Sequence, residues 1–101
     1  MDAQTARIGF IGFGNMAGAM AKGLVEHAGV DGSRICACAA HFDALEARCT
    51  PLGIHAAHSP AEVVDASDIV IVAVKPHLVE SVLSPIREKL RGKAVVSVAA
   101  G

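Results

Sequence analysis

Apolar positions in this chain fall into short dense runs, separated by segments in which they recur every three or four residues. That alternation is expected of strands and amphipathic helices in turn. Residues 7–11 read as a first strand, closed by the turn Gly12-Phe13-Gly14. A helix is predicted over 15–27, with Met16, Met20 and Leu24 on one face. Ala28-Gly29 ends it, since glycine takes the left-handed cap conformation freely. Beyond the turn at Asp31-Gly32-Ser33 come a second strand, 35–40, and a second helix, 43–49, that stops before Pro51 and Gly53. A short third strand is placed at 54–57. Ser59-Pro60-Ala61-Glu62 has the form of a capping box with proline at the first helical position, and predicts a helix over 60–66. The apolar run 69–74 is too short for a free-standing helix and reads as a central parallel strand ended by Lys75-Pro76. A helix over 78–90, interrupted near Pro85, and a strand over 94–98 complete the pattern.

Strands that alternate with helices must be joined by right-handed crossovers, which places helices on both faces of one sheet. The predicted fold class is therefore α/β, a doubly wound Rossmann-type parallel sheet of strand order 3-2-1-4-5. With 101 residues there is room for one domain. Hydrophobic residues make up 52% but aromatics only 3%, so the core must be built from small aliphatics. Nine basic and ten acidic residues are mixed along the chain, which gives no bulk attraction to nucleic acid or an anionic membrane. No apolar run approaches the length of a membrane span, and Asp2 with the glycines from Gly9 to Gly14 fits no signal peptide. A cytoplasmic protein is expected. Cys36, Cys38 and Cys49 are an odd number and suit a reducing compartment. Cys36 and Cys38 should share one face of the second strand as buried, inert thiols. With His41 nearby they lack the second, well-spaced pair that a tetrahedral metal site needs, so no metal is expected. The chain stops at the carboxyl edge of its last strand, and it is expected to be the N-terminal part of a longer enzyme.

The strongest chemical signal is Gly12-Phe13-Gly14-Asn15-Met16-Ala17, which matches G-x-G-x-x-G/A between a strand and a helix. Gly12 permits the tight turn, Gly14 lets a pyrophosphate approach the backbone, and Ala17 lets the helix pack on the strand. Unpaired N–H groups and the positive end of the helix dipole would receive the phosphates. An NAD site carries Asp or Glu at the end of the second strand, on the ribose 2′-hydroxyl. Here that region reads Ala39-Ala40-His41-Phe42, with no acid before Asp43. Nothing there repels a 2′-phosphate, and His41 can donate to one, with Arg48 or Arg34 as further candidates. NADP is therefore the expected cofactor, NADPH preferred and NADH possible.

The segment Ile8-Gly9-Phe10-Ile11-Gly12-Phe13-Gly14-Asn15-Met16 resembles the opening of pyrroline-5-carboxylate reductases. Ala73-Val74-Lys75-Pro76 resembles that family's A-V-K-P after the fourth strand, and Ser97-Val98-Ala99-Ala100-Gly101 its S-x-A-A-G after the fifth. The resemblance covers essentially the whole chain. It implies reduction of 1-pyrroline-5-carboxylate to proline by NADPH or NADH, the last step of proline synthesis. It also implies that Val74, Lys75 and Pro76 line the cofactor near the nicotinamide ribose, with Ala99 and Ala100 close by. Pro60 departs from the family, many members of which carry a cofactor-contacting asparagine near that position. The family's helical C-terminal domain, which forms the dimer and most of the substrate pocket, is absent from these residues. The piece is accordingly expected to bind cofactor without turning over, and no catalytic acid is assigned. Two alternatives stay open: another NADP-dependent reductase, of the β-hydroxyacid dehydrogenase or deazaflavin-dependent type, and a non-catalytic nucleotide-binding module. His77 beside the A-V-K-P segment, the pair His55 and His58, Ser97, and the loop acids Asp65 and Asp68 read as structural or solvated.

Overall fold

The computed structural model describes residues 5–98. Its strands are β1 (Ile8–Ile11), β2 (Ile35–Cys38), β3 (His55–Ala56), β4 (Ile69–Val72) and β5 (Ala94–Ser97). They form one parallel sheet of order 3-2-1-4-5, as the alternating pattern implies. β1 is central, with Ile8 opposite Ile35 on one side and Ile69 on the other. Side chains alternate between the faces. Phe10, Ile35, Ala37 and Ile71 point to the side covered by α1 (Asn15–Glu26) and α2 (Phe42–Cys49). Ile11, Cys36, Cys38, Val70 and Val72 point to the side covered by α3 (Pro60–Asp65) and by α4 (Val79–Leu83) with the segment after it. Two small-residue cores thus lie back to back across the sheet.

The central strands end together for one reason. At Gly12 the backbone of β1 swings away with φ of 92°, so β2 and β4 lose their shared neighbour. Their last bonds to β1 run from Gly12 N–H to Cys38 O at 2.9 Å and from Ala73 N–H to Ile11 O at 2.8 Å. Ala39, Ala40, Val74 and the residues after them therefore leave the sheet, and the two strands are shorter than the 35–40 and 69–74 read from hydropathy.

Two helices also differ from the sequence pattern. The buried stripe of α1 is Ala17, Gly18 and Ala21, while Met20 and Leu24 pack at its margin. Met16 is 46% exposed and lies outside the core. Small side chains let α1 approach the sheet closely, and that approach sets which face is buried. The helix predicted over 78–90 is broken into α4 and 3-10 turns at Pro76–Leu78, Ser84–Ile86 and Glu88–Leu90. Pro85 has no N–H for the Ser81 carbonyl, and its ring crowds that oxygen.

The capping box forms almost as drawn. Ser59 Oγ accepts from Glu62 N–H at 3.2 Å, and Glu62 reaches back to His58 N–H at 3.1 Å, one residue earlier than the usual partner. Gly9 lets α3 press on β1: a β-carbon there would stand 2.5 Å from Val63 Cγ1 and 3.0 Å from Ser67 Cβ. β5 is exposed on both faces, Val95 44% and Val96 47%. No helix among the described residues is long and apolar enough to cross a membrane.

Three carboxyls are held below their ordinary range by hydrogen bonds to the ionised form. Asp68 accepts from Arg7 N–H at 2.9 Å, Glu62 from His58 N–H, and Asp31 from Ser33 N–H at 2.9 Å. Each titrates lower folded than unfolded, so its stabilisation is complete above the ordinary carboxylate range and is lost as pH falls through its folded value. Thermal melts should show Tm falling as pH drops below about 4, through the carboxylate range. The double variant Glu62→Gln, Asp68→Asn should start lower and lose less on acidification.

Candidate functional site

All strands being parallel, the segments after β1, β2 and β4 emerge at one edge of the sheet, where β5 also ends. There the turn after β1 packs against the segment after β4: a β-carbon on Gly12 would lie 2.9 Å from the Ala73 carbonyl and from Val74 Cγ1. Gly14 is the opposite case. Its φ of −77° suits any residue, and nothing stands within 4 Å of where its β-carbon would be. The fold does not need glycine at 14, and the space over it is open.

Gly14 is also the N-cap of α1, with no side-chain cap bond and no acidic residue in the first turn. The first N–H groups of the helix have no intrahelical acceptor, and no acidic side chain of the first turn offsets the positive dipole end. Asn15 and Met16 are exposed beside them. Ala17 is 1% exposed and packs on the sheet. Phe13 turns inward, edge-to-face on Phe10 at 5.8 Å between ring centroids, so only its backbone is presented at the edge.

The other residues singled out by sequence lie around this turn. His41 is exposed in the β2–α2 connection as the N-cap of α2, making no side-chain cap bond. Val74 is half-buried against the Gly12 turn, and Lys75 and Pro76 are exposed, with Lys75 O accepting from Leu78 N–H at 2.9 Å. Ala99 and Ala100 lie outside the described residues. The two arginines considered near His41 are engaged elsewhere. Arg34 precedes β2, at the opposite edge, and donates to Ala6 O at 2.8 and 3.0 Å. Arg48 donates to Phe13 O at 2.6 Å and Gly14 O at 3.3 Å, with its guanidinium carbon 5.3 Å from the Phe13 ring centroid.

His55 and His58 serve structure. His55 Nε2 is 3.2 Å from Glu62 Oε1, and His58 stacks on Phe42 with centroids 4.0 Å apart. That stack ties the first turn of α2 to the β3–α3 connection, and like the Arg48 contact it joins residues far apart in sequence, so no local pattern announces it. Asp65 pairs with Lys89 at 3.1 Å and Asp68 with Arg7. Burial pushes the Cys36 thiol up to about 11 and raises Cys38 and Cys49 in the same direction, which makes all three poor nucleophiles at neutral pH. No group of three or more His, Cys, Asp or Glu side chains able to hold a metal ion occurs among the described residues.

The family described as NADP oxidoreductase, coenzyme F420-dependent, matches residues 7–101. Pyrroline-5-carboxylate reductase of Treponema pallidum is 42% identical over 94 residues, which is 93% of this chain and 35% of that protein. Among solved structures, a pyrroline-5-carboxylate reductase from Coxiella burnetii superposes with a TM-score of 0.87 at 33% identity, covering 96% of this chain and 36% of that one. An imine reductase from Myxococcus stipitatus in complex with NADP+ gives 0.80 at 26% identity, over 94% of this chain and 32% of that one. The chain spans about a third of the length of the relatives it matches.

Proposed function

The chain belongs to the family described as NADP oxidoreductase, coenzyme F420-dependent, and from that premise we propose that it is the nucleotide-binding unit of a pyrroline-5-carboxylate reductase using NADPH in preference to NADH. One observation supports the cofactor reading above the others. An uncapped, acid-free helix N-terminus faces the edge where β1, β2 and β4 end, beside a glycine with open space over it.

The residues present fit a dinucleotide. Gly12, the Phe13 backbone, Gly14, Asn15, Met16 and Ala17 would hold the pyrophosphate through backbone N–H groups and the helix dipole. His41 would meet the 2′-phosphate, in a connection with no acid before Asp43. Val74, Lys75 and Pro76 would orient the nicotinamide ribose, and Ala99 and Ala100 join them on sequence likeness alone. Bound NADPH would supply a hydride to the C=N carbon of a cyclic imine carboxylate whose ring nitrogen already carries its proton, so that protonated 1-pyrroline-5-carboxylate becomes proline. The chain's own residues bind and orient; none is assigned as an acid. That substrate rests on likeness to pyrroline-5-carboxylate reductases over nearly the whole chain. Most of the substrate pocket and a homo-oligomer contact are assigned to a helical domain outside these residues. The three free thiols support a reducing compartment, the cytoplasm. Reduction of another imine, or coupling to a deazaflavin, is the second reading, favoured by the family match and the imine reductase likeness.

Calorimetric titration tests the reading. The chain should bind NADPH with a margin of roughly tenfold or more over NADH, the worth of one charge-assisted hydrogen bond. The full-length protein should then oxidise NADPH with pyrroline-5-carboxylate. Failure of both chain and full-length protein to bind either nucleotide would sink it, and binding without turnover of any imine would leave a nucleotide-binding module.

A further inference from the structure

We infer that Arg48 is a positioning residue: from behind the glycine-rich turn it aims the turn's N–H groups at the phosphates. The inference rests on the nucleotide-binding reading of that turn.

Arg48 lies in α2, 34 residues from Gly14, yet its guanidinium meets the turn three times. It donates to Phe13 O at 2.6 Å, donates to Gly14 O at 3.3 Å and lies over the Phe13 ring. In a trans peptide the C=O and the following N–H point in opposite directions. Drawing the Phe13 oxygen toward α2 therefore turns the Gly14 N–H outward; the Gly14 oxygen is already held by Gly18 N–H at 2.9 Å, the first bond of α1, and Arg48 adds a longer second donor to it. A cation on each oxygen also polarises the peptide and makes its N–H a stronger donor. Gly18 makes room for this contact: a β-carbon there would fall on Arg48 Nη2 and lie 3.0 Å from Cζ. Because Arg48 is committed to the turn, it stands apart from 2′-phosphate recognition, and its influence must fall equally on NADPH and NADH.

Gly18→Ala displaces the guanidinium without touching Arg48. The obstructed atoms are the far end of a flexible side chain, and alanine favours a helix interior over glycine, so this variant keeps its fold. Arg48→Met and Arg48→Lys complete the set. Titrations with NADPH and NADH should show Gly18→Ala and Arg48→Met weakened about tenfold for both nucleotides. Arg48→Lys, which can keep one donor on Phe13 O, should fall between them and the parent. A Tm measured alongside should fall by only a few degrees for Gly18→Ala, since the helix gain of alanine offsets part of the lost contacts. Wild-type affinity in Gly18→Ala and Arg48→Met would overturn the inference while leaving the nucleotide reading intact. Loss confined to NADPH would instead place Arg48 on the 2′-phosphate and overturn it too. Failure of the parent chain and the full-length protein to bind any nucleotide would remove both.

Discussion

Gly14→Ala is expected to leave the melting temperature of this chain unchanged and to weaken NADPH binding on the order of 10- to 100-fold, the loss of one or two hydrogen bonds to a charged phosphate. The backbone at Gly14 already has the extended conformation an alanine prefers, with φ of −77° and ψ of −161°. The added carbon meets no atom of the chain within 4 Å. Whatever it costs must come from a ligand brought close to that point. Differential scanning fluorimetry with and without NADPH makes the comparison direct: equal melting of the free forms, and a smaller ligand-induced upward shift in the variant at the same NADPH concentration. A lowered melting temperature in the free variant would mean that the open space is not there. An undiminished shift would mean that the nucleotide does not approach Gly14.

Gly12→Ala should do the reverse, damaging fold and binding together. The φ of 92° at Gly12 is strained for any residue with a β-carbon, at about 1–2 kcal/mol. The new carbon would also press on the Ala73 carbonyl at 2.9 Å, backbone that cannot swing aside, adding about 1–3 kcal/mol. For a chain of this size a loss of that order lowers Tm by roughly 10 °C or more. Thermal unfolding of the free protein checks it, and a Tm within two or three degrees of the parent would contradict the close packing of the turn on β4.

What could be read from the sequence was what repeats along it. The dense runs at β1, β2, β4 and β5, and the helical spacing between them, carry the strand order and the edge where the site lies. Gly12 and Ala17 were legible because a tight turn and a close packing each demand a residue type at a fixed offset. The misreadings all come from contacts made across the fold. Hydropathy extends β4 to residue 74, but pairing stops at Val72 because β1 has turned away. Met16 has the spacing of a core residue, yet α1 lies too close to the sheet on its alanine and glycine face for a methionine to share it. Arg48 looked like a candidate for an external phosphate, and only the folded chain shows the Phe13 carbonyl as its partner. The binding roles of His41, Lys75 and Pro76 remain proposals, since their side chains stand exposed around the turn.

The back-to-back cores give the molecule a pair of internal clocks. Cys36 and Cys38 are sealed under the α3 layer and Cys49 under the α2 layer. Burial suppresses the thiolate, so a labelling reagent can react only when a layer lifts. The rate at which each cysteine is modified therefore times the opening of its own layer, without any introduced probe. Since the glycine-rich turn leads into the helices of the Cys49 layer and is stitched to α2 by Arg48, a ligand at the turn would slow that clock more than the other.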